Sequence, residues 1–472
     1  MTLPQPTEQM LAHLDTLRAD LTGRRVGVLG LGIAGRAMAL HLAHRGAHVI
    51  GADRRADATE PALVAAGVEL RAGNVGGSTF ADVEALVVSP GVDPRQPAVQ
   101  NVLARGVIVL GELELVGTLP APVIGITGTN GKSTTTALTG ALLRGLGLSA
   151  FVGGNFGEPV VTFIDRRESA DALVLELSSY QLETAYRFRA DVGVVLNVTP
   201  DHLERYASME DYALAKERLV RNLAPAAVAI LNYDDPRVRR MAETTLARCW
   251  WLSTREVPST PHAAWLQGNV VRARGDVAAL DGFDLAHPRL LGRHNRENAI
   301  AALLGVLGLP ATRRPSIEAL RRAYLGFTGL AHRLELVGEV GGVLYINDSK
   351  ATNDDAAAIA VGAMERPAVL LIGGRDKGGG YARTVASAAD RARLVIAFGE
   401  AQEKVVAAFA GHPGLRAASG FEAAFALAVR EARPGEVVLL APACSSFDEF
   451  ANYAARGARF RSKVTLLGGG VS

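Results

Sequence analysis

A glycine-rich turn that joins a short apolar run to a helical pattern limits most strongly what this chain can fold into. Residues 123–127 read Val-Ile-Gly-Ile-Thr, and residues 128–133 read Gly-Thr-Asn-Gly-Lys-Ser before a helical run. This order is typical of a phosphate-binding P-loop, in which glycine lets backbone N–H groups and the positive helix end approach an anion. We expect Lys132 to reach the β- and γ-phosphates and the Ser133 hydroxyl to bind Mg²⁺. Because Ile126 stands where the usual spacing has glycine, an ordinary strand–helix turn is the alternative.

A second glycine-rich turn follows the apolar run at 26–29. Gly30, Gly32 and Gly35 have the spacing of a dinucleotide-binding fingerprint, and Asp53 ends the next apolar run. Such a turn can bind the diphosphate of NAD(P) or of another nucleotide at the helix end. A tight turn without a ligand is the alternative, because this motif alone has low specificity.

Short apolar runs alternate with helical stretches rich in Ala, Leu and Arg along the whole chain. The runs expected to be strands are residues 25–29, 48–51, 85–89, 123–127, 172–176, 192–197, 368–372 and 437–441. This alternation predicts βαβ units on mostly parallel sheets, whose carboxyl edges bind ligands. The expected fold is α/β with three domains, after an extension of about 20 residues. These are a Rossmann-like domain at 1–110, a central P-loop ATPase-type domain at 111–329 and a second Rossmann-like domain at 330–472.

Composition excludes several classes of protein. The 50 Lys+Arg and 48 Asp+Glu give a formal net charge of +2, too small for a dedicated nucleic-acid binder. The two cysteines, Cys249 and Cys444, cannot build a disulfide framework, which favours a reducing, cytoplasmic location. No apolar run approaches the ~20 residues of a membrane span, and the amino terminus lacks the apolar core of a signal peptide. We expect a cytoplasmic enzyme or binding protein that contacts neither nucleic acid nor membrane.

Polar residues follow two of the predicted strands in the P-loop segment. Glu176 ends one strand and is well placed for Mg²⁺, and His202 lies beyond the next. Taken alone, a glutamate at a strand end is more often solvated and a lone histidine more often structural. Lys216 lies in a helical run and, by the same reasoning, is expected on a solvated helix face.

Four strings resemble the Mur ligase superfamily, which also contains folylpolyglutamate synthetases. They are Thr-Gly-Thr-Asn-Gly-Lys-Ser-Thr at 127–134, Glu-Leu-Ser-Ser-Tyr-Gln-Leu-Glu at 176–183, Asn-Val-Thr-Pro-Asp-His-Leu-Glu-Arg-Tyr at 197–206 and Asn-Asp-Ser-Lys-Ala-Thr-Asn at 347–353. Members of this superfamily use ATP to convert a carboxylate into an acyl phosphate and then form an amide. The resemblance implies ATP as cofactor, with two Mg²⁺ sites.

Within the superfamily, the strings at 176–183 and 197–206 are most similar to those of members that add D-glutamate to UDP-N-acetylmuramoyl-L-alanine. The resemblance therefore implies these two small molecules as substrates, and we expect a monomer. The chain lacks the Asp-Asn-Pro-Arg string of the diaminopimelate-adding relative, and Asn130 replaces the histidine usual in the L-alanine-adding relative. A nicotinamide-dependent oxidoreductase, a P-loop binding or switch protein, and folylpolyglutamate synthesis with L-glutamate stay open as alternatives.

The resemblance also implies roles for individual residues. The residues expected to bind ATP are Gly128, Thr129, Asn130, Gly131, Lys132, Ser133, Thr134, Asn298, Arg333 and Asp348. Those expected to bind the uridine nucleotide are Gly32, Ile33, Ala34, Arg55, Gly91, Asn155, Ser178 and Gln181. D-glutamate is expected at Thr352, Lys377, Ser446 and Tyr453, the last of which replaces the usual Phe. The implied metal ligands are Ser133, Glu176, His202 and Lys216 as a carbamate, and the implied catalytic residues are Lys132, His202, Lys216 and Lys350.

Overall fold

The computed structural model describes residues 3, 6–55, 60–73, 75–201, 205–287, 289–290, 292–310, 315–376, 378 and 380–468. The chain divides into two compact units, Met1–Leu285 with Glu297–Gly326 and Ala286–Arg296 with Phe327–Ser472. The first unit contains a five-stranded and a nine-stranded sheet, and the second contains a six-stranded sheet. We call the parts built on these sheets the N-terminal, central and C-terminal domains. All eight predicted strands form, which confirms the α/β prediction.

The N-terminal domain has a fully parallel sheet in the order β3-β2-β1-β4-β5. The segment predicted as an extension forms helix α1, which begins after the N-cap Thr7 and buries Leu14 and Leu17 in the core beside this sheet. The elements are α1 (Glu8–Ala19), β1 (Arg25–Leu29), α2 (Ile33–His44), β2 (His48–Asp53), α3 (Pro61–Ala65), β3 (Glu69–Ala72), β4 (Ala85–Val88), α4 (Pro97–Ala104), β5 (Ile108–Leu110) and α5 (Glu112–Leu115).

The central domain has the sheet order β14-β13-β12-β11-β10-β9-β6-β8-β7. Strands β6 to β12 pair in parallel, whereas β13 and β14 add antiparallel strands at one edge. The elements are β6 (Val123–Thr127), α6 (Lys132–Gly145), β7 (Ala150–Gly154), α7 (Val160–Asp165), β8 (Ala172–Glu176), α8 (Ser179–Leu182), β9 (Val192–Val195), α9 (Met209–Arg221), β10 (Val228–Asn232), α10 (Pro236–Arg240), β11 (Arg248–Ser253), β12 (Ala263–Gln267), β13 (Val270–Arg274), β14 (Phe283–Asp284), α11 (Arg293–Gly308) and α12 (Ile317–Leu325). Helix α11 starts in the second unit's short segment and continues into the first unit.

The C-terminal domain has the sheet order β15-β16-β20-β17-β18-β19, in which β15 is antiparallel to β16 and the other pairs are parallel. The elements are β15 (Glu335–Val340), β16 (Val343–Asn347), α13 (Asp354–Gly362), β17 (Ala368–Gly373), α14 (Ala382–Arg391), β18 (Ala392–Phe398), α15 (Gln402–Ala408), β19 (Leu415–Ala417), α16 (Phe421–Glu431), β20 (Val437–Leu440) and α17 (Tyr453–Leu466).

Burial explains why the strands appear in the sequence as continuous apolar runs. Every residue of β6, β8, β10, β17 and β20 is buried. A parallel sheet covered by helices on both faces requires apolar side chains on both sides of each strand, so its strands are continuous apolar runs. Each such side chain contributes about 1.5–3 kcal/mol by leaving water. No helix in the described part of the chain combines the length and apolar character that crossing a membrane requires.

Candidate functional site

The turn after β6 brings two lysine side chains to one carbonyl oxygen. Lys132 Nζ donates to Gly128 O at 2.9 Å and to Thr129 O at 2.7 Å. Lys216, on α9, donates from Nζ to the same Gly128 O at 2.8 Å and lies 4.5 Å from the centre of the Tyr212 ring. Two ammonium groups this close repel each other strongly in a low-dielectric environment. The site therefore favours an anion, or the loss of a proton from one of the lysines.

Lys216 is the buried member of this pair, with 1% of its surface exposed. Burial and the nearby charge of Lys132 lower the pKa of Lys216 well below its ordinary 10.5, against the opposing effect of Asp201 and Glu176. The expectation of a solvated helix-face lysine is wrong, because α9 turns the face that carries Tyr212 and Lys216 toward the P-loop turn. A lowered pKa increases the fraction of unprotonated, nucleophilic amine.

Glu176 ends β8 between β6 and β7 and is 2% exposed, so the expectation of a solvated carboxylate is also wrong. Its Oε1 accepts a hydrogen bond from Asn155 Nδ2 at 2.7 Å. Its Oε2 is buried and has no hydrogen-bond partner among the described residues. A buried carboxylate oxygen without a donor is costly unless a cation binds it. A carboxylate and the Ser133 hydroxyl are hard oxygen ligands that fit Mg²⁺.

The predicted second metal ligand, His202, lies outside the described residues. Within the part of the chain that the structure describes, no three His, Cys, Asp or Glu side chains are grouped so that they could hold a metal ion. Of the four expected metal ligands, the structure therefore describes Glu176, Ser133 and Lys216.

Asn197, which the sequence analysis did not single out, holds the P-loop turn from the end of β9. Its Oδ1 accepts from Asn130 N at 2.8 Å, and its backbone oxygen accepts from Thr129 N at 2.9 Å. The Thr129 hydroxyl lies 3.2 Å from Tyr212 Oη. The sequence offered one signal for Asn197: it ends the apolar run 192–197, which contains β9, a strand that pairs with β6.

Asn298, a predicted ATP-binding residue on α11, packs against the same turn. Gly131 has φ of 87°, and a Cβ atom there would lie 2.3 Å from Asn298 Oδ1. Glycine is required at this position both for its conformation and for this close approach. The structure thus brings Asn298 beside Gly131 and Lys132.

A cavity of about 190 Å³ opens at the carboxyl edge of the N-terminal sheet. It is lined by Leu29, Gly30, Asp53, Arg54, Ser89, Gly91, Val92 and Gln96. Of the residues predicted there for the uridine nucleotide, Gly91 is in this lining, whereas Gly32, Ile33, Ala34 and Arg55 are not. Ile33 is 74% exposed at the start of α2, just outside the glycine-rich turn.

Asp53 stabilises this turn. Its carboxylate accepts from Leu31 N at 2.7 Å and from Arg55 N at 2.9 Å. Burial raises its pKa, but these N–H groups outweigh burial and hold the pKa below its ordinary value. A Cβ atom on Gly35 would lie 1.7 Å from Gly30 O, so only glycine lets α2 start this close to β1.

Ser178 and Gln181, two further residues predicted for the uridine nucleotide, bind each other. Ser178 Oγ accepts from Gln181 N at 3.2 Å, and Gln181 Oε1 accepts from Ser178 N at 3.0 Å. This reciprocal pair is a capping box at the start of α8.

In the C-terminal domain, three predicted residues, Asp348, Lys350 and Thr352, lie in the loop after β16. Burial raises the pKa of Asp348 to about 7, although Arg333 and Lys350 oppose the rise. Lys350 Nζ lies 5.4 Å from the centre of the Tyr453 ring. Thr352 follows in the same loop, where its N–H donates to Lys350 O at 2.9 Å. Ser446 is buried after β20, and Lys377 lies outside the described residues.

Arg456, on α17, is a residue that the sequence analysis missed. It is 1% exposed and donates to Ser349 Oγ, Ser349 O, Cys444 O, Ser445 O and Gly373 O at 3.0–3.4 Å. These acceptors belong to the loops after β16 and β20 and to the last residue of β17, and all of them are neutral. Burial lowers the pKa of Arg456 to about 10, so the side chain stays charged at neutral pH. Arg456 therefore holds the loops after β16 and β20 and the end of β17 together.

The buried amine predicts a pH-dependent stability. Between the lowered pKa of Lys216 and its ordinary 10.5, the unfolded chain binds one more proton than the folded chain, so the free energy of unfolding rises with pH. Lys216→Met removes this dependence. As the pH rises from the lowered pKa of Lys216 toward 10.5, the free energy of unfolding of the wild type should increase relative to that of the variant by up to about 1.4 kcal/mol per pH unit. Urea unfolding in CO₂-free buffer measures the difference, and a constant difference would contradict the buried amine.

Replacement of Arg456 should destabilise the C-terminal domain. Arg456→Met leaves several buried carbonyl groups without a donor, and we expect the free energy of unfolding to fall by about 2–4 kcal/mol. Arg459→Met is the matched control on the same helix, because Arg459 pairs with Glu422 at the surface. Denaturant midpoints that shift equally for both variants would show that Arg456 does not hold the loops.

Three family models match the chain. They are described as "Mur ligase MurD-like, N-terminal domain" at residues 24–111, "Mur ligase middle domain" at 126–306 and "Mur ligase, glutamate ligase domain" at 332–444. Among curated proteins, the chain is 42% identical to a UDP-N-acetylmuramoylalanine–D-glutamate ligase of Acidobacterium capsulatum, over 94% of this chain and 97% of the relative. It is 39% identical to the protein of the same name from Pelotomaculum thermopropionicum, over 95% of this chain and 99% of the relative.

Solved structures agree in fold. The chain is similar to the UDP-N-acetylmuramate-alanine ligase MurC of Thermotoga maritima, with a TM-score of 0.58 and 17% identity over 94% of this chain and 99% of that one. It is also similar to a pseudomurein peptide ligase type C from Methanothermus fervidus, with a TM-score of 0.55 and 17% identity over 94% of this chain and 100% of that one. The identity to the curated relatives extends over nearly the whole chain, so this protein belongs to the Mur ligase family.

Proposed function

We propose that this protein is a cytoplasmic, monomeric, ATP-dependent ligase that joins D-glutamate to UDP-N-acetylmuramoyl-L-alanine in peptidoglycan precursor synthesis. The names of the curated relatives support the choice of substrates. The observation that carries the chemistry is the meeting of Lys132 and Lys216 at Gly128 O. The Lys132 ammonium group held at this turn suits a reaction in which a carboxylate must approach a triphosphate, and its charge favours the neutral amine of Lys216.

The proposed reaction has two steps. A carboxylate oxygen of the UDP-sugar peptide attacks the γ-phosphorus of ATP, the bond to ADP breaks and an acyl phosphate forms. The amine of D-glutamate then attacks the acyl carbon, loses a proton, and expels inorganic phosphate as the amide forms. Lys132 neutralises charge on the transferred phosphoryl group, as does Arg333 by its planar fork. When bound by Ser133, Glu176 and His202, Mg²⁺ would supply Lewis-acid stabilisation of the phosphate oxygens.

We also propose that Lys216 acts as a carbamate. Its unprotonated amine attacks CO₂ and loses a proton, which converts a cation into an anionic oxygen ligand. This change removes the repulsion from Lys132 and provides a hard oxygen for a second Mg²⁺. The burial of Lys216 and its lowered pKa support the proposal, because only the neutral amine reacts.

The remaining predicted residues receive roles in substrate binding. We propose that Asp348 binds the ribose of ATP, that Asn298 lies near the adenine, and that Lys350 acts near the reacting carboxylate. D-glutamate is proposed to bind Thr352, Lys377, Ser446 and Tyr453. The uridine nucleotide is proposed to occupy the N-terminal cavity, with Gly32, Ile33, Ala34, Arg55, Gly91, Asn155, Ser178 and Gln181 as its contacts. The domain limits 1–110, 111–329 and 330–472 stay a prediction.

The test of the function is phosphate release with ATP and UDP-N-acetylmuramoyl-L-alanine. We expect release that depends on D-glutamate, with L-glutamate and L-alanine inactive. Release that ignores the amino acid would favour a P-loop switch protein, and release with L-glutamate would favour a folylpolyglutamate-type enzyme. A change in NADH fluorescence on mixing would favour the oxidoreductase alternative.

The carbamate has its own test. Lys216→Ala should lose activity by about a hundredfold or more, and short-chain carboxylates such as formate or acetate should restore part of it by replacing the missing oxygen ligand. Lys216→Arg is the matched control, because it keeps a cation, fills the space that a carboxylate needs and cannot be carbamylated. A fully active Lys216→Ala variant, or equal rescue of both variants, would refute the carbamate.

A further inference from the structure

Arg205 joins the central domain to the N-terminal domain at the edge of the cavity. Its Nη1 donates to Val92 O at 2.6 Å, and Val92 lines the cavity. Its Nη2 and Nε donate to the two carboxylate oxygens of Glu183 at 2.6 and 3.3 Å. The side chains of Arg205 and Glu183 are 12% and 5% exposed. The guanidinium therefore forms a part-buried, charge-neutral bridge between a carboxylate of one domain and a carbonyl of the other.

A row of aromatic side chains continues from Arg205 to the P-loop turn. The guanidinium carbon lies 4.2 Å from the centre of the Tyr180 ring. The Tyr180 and Tyr206 ring centres are 6.1 Å apart, and those of Tyr206 and Tyr212 are 5.2 Å apart. Tyr212 Oη in turn lies 3.2 Å from the Thr129 hydroxyl. Arg205 is thus fixed on the central-domain side by packing as well as by charge.

The loop that Arg205 holds forms one wall of the cavity. Ser89 N donates to Leu29 O at 2.9 Å, which attaches the start of the loop to β1. Val92 N donates to Ser89 O at 2.9 Å, which closes a turn around Gly91. Arg205 attaches the end of this turn to the central domain. The shape of the wall therefore depends on a side chain of another domain.

We propose that Arg205 is a positioning residue for the uridine nucleotide: it holds the loop 89–92 in the conformation that binds the nucleotide. This inference rests on the proposed function, because it takes the N-terminal cavity as the uridine-nucleotide site. An arginine is needed, since its planar fork gives two donors to Glu183 while its third nitrogen reaches Val92 O. A lysine has one ammonium group and cannot reach both acceptors with this geometry.

The test is direct binding of two nucleotides to the full-length protein by isothermal titration calorimetry. Arg205→Lys should raise the Kd for UDP about tenfold or more, because the cavity wall loses its attachment. The Kd for ADP should change by less than about twofold, because β6, α6 and the P-loop turn remain intact. In turnover, the KM for the UDP-sugar substrate should rise in parallel while the KM for ATP does not.

Two further variants distinguish positioning from a general structural role. Tyr186→Phe is the matched control, because Tyr186 Oη donates to Val109 O at 3.0 Å across the same two domains but away from the cavity lining. We expect it to leave both Kd values unchanged. If Arg205→Lys fails to fold, the double variant Arg205→Met/Glu183→Met leaves no unpaired charge buried and should show the same selective loss of UDP binding.

Equal weakening of UDP and ADP binding by Arg205→Lys would overturn the inference, and so would unchanged UDP binding. A wild-type protein that binds no UDP would overturn the proposed substrate and this inference together. UDP binding that Arg205→Lys retains would overturn this inference alone.

Discussion

The ammonium groups of Lys132 and Lys216 meet at the carbonyl oxygen of Gly128, and the repulsion between them constrains the electrostatics of the turn between β6 and α6. Two like charges a few ångströms apart cost about 1 kcal/mol in water and several times more inside a protein. Burial lowers the pKa of Lys216, and the repulsion disappears when its amine is neutral. The negative charges of Asp201 and Glu176 offset part of the positive charge. An anion, whether phosphate or carbamate, lowers the cost further. The same repulsion therefore favours an anion at this turn and the neutral form of Lys216.

Buried cations are used in two different ways in this chain. Lysine gives up its proton readily when desolvated, whereas the delocalised guanidinium of arginine keeps its charge. Accordingly, the buried amine with the lowered pKa is Lys216, whereas the cations that hold backbone carbonyl groups are the part-buried Arg205 and the buried Arg456. Arg456 is satisfied by neutral acceptors of two loops and of the last residue of β17, and Arg205 by one carboxylate and one carbonyl. Both arginines fix loops at the carboxyl edges of parallel sheets, where ligands bind in folds of this kind.

The repeated use of that edge explains the arrangement of the candidate sites. In each sheet the strands end in polar loops on one side, and the helices that follow start there with free N–H groups. The N-terminal cavity, the P-loop turn and the Asp348 loop all lie at such edges. Glycine at Gly35 and Gly131 allows the backbone to come close to its neighbours at the first two.

The local patterns of the sequence were enough to predict the α/β fold, the eight strands given above and the P-loop turn. The strands were predictable because burial on both faces of a parallel strand requires a continuous apolar run. The resemblance to the Mur ligase superfamily also led to Lys216, Glu176, Asp348 and Lys350. Taken alone, the local patterns predicted that Lys216 and Glu176 face solvent, and they assigned no role to Asn197, Arg205 or Arg456. These side chains take their environment from distant segments: Lys216 and Gly128 are 88 residues apart, Arg456 and Gly373 are 83 apart, and Arg205 and Val92 are 113 apart. Local periodicity records which face of an element is apolar, but only the packed tertiary structure decides which distant backbone groups a buried cation meets and how its pKa shifts.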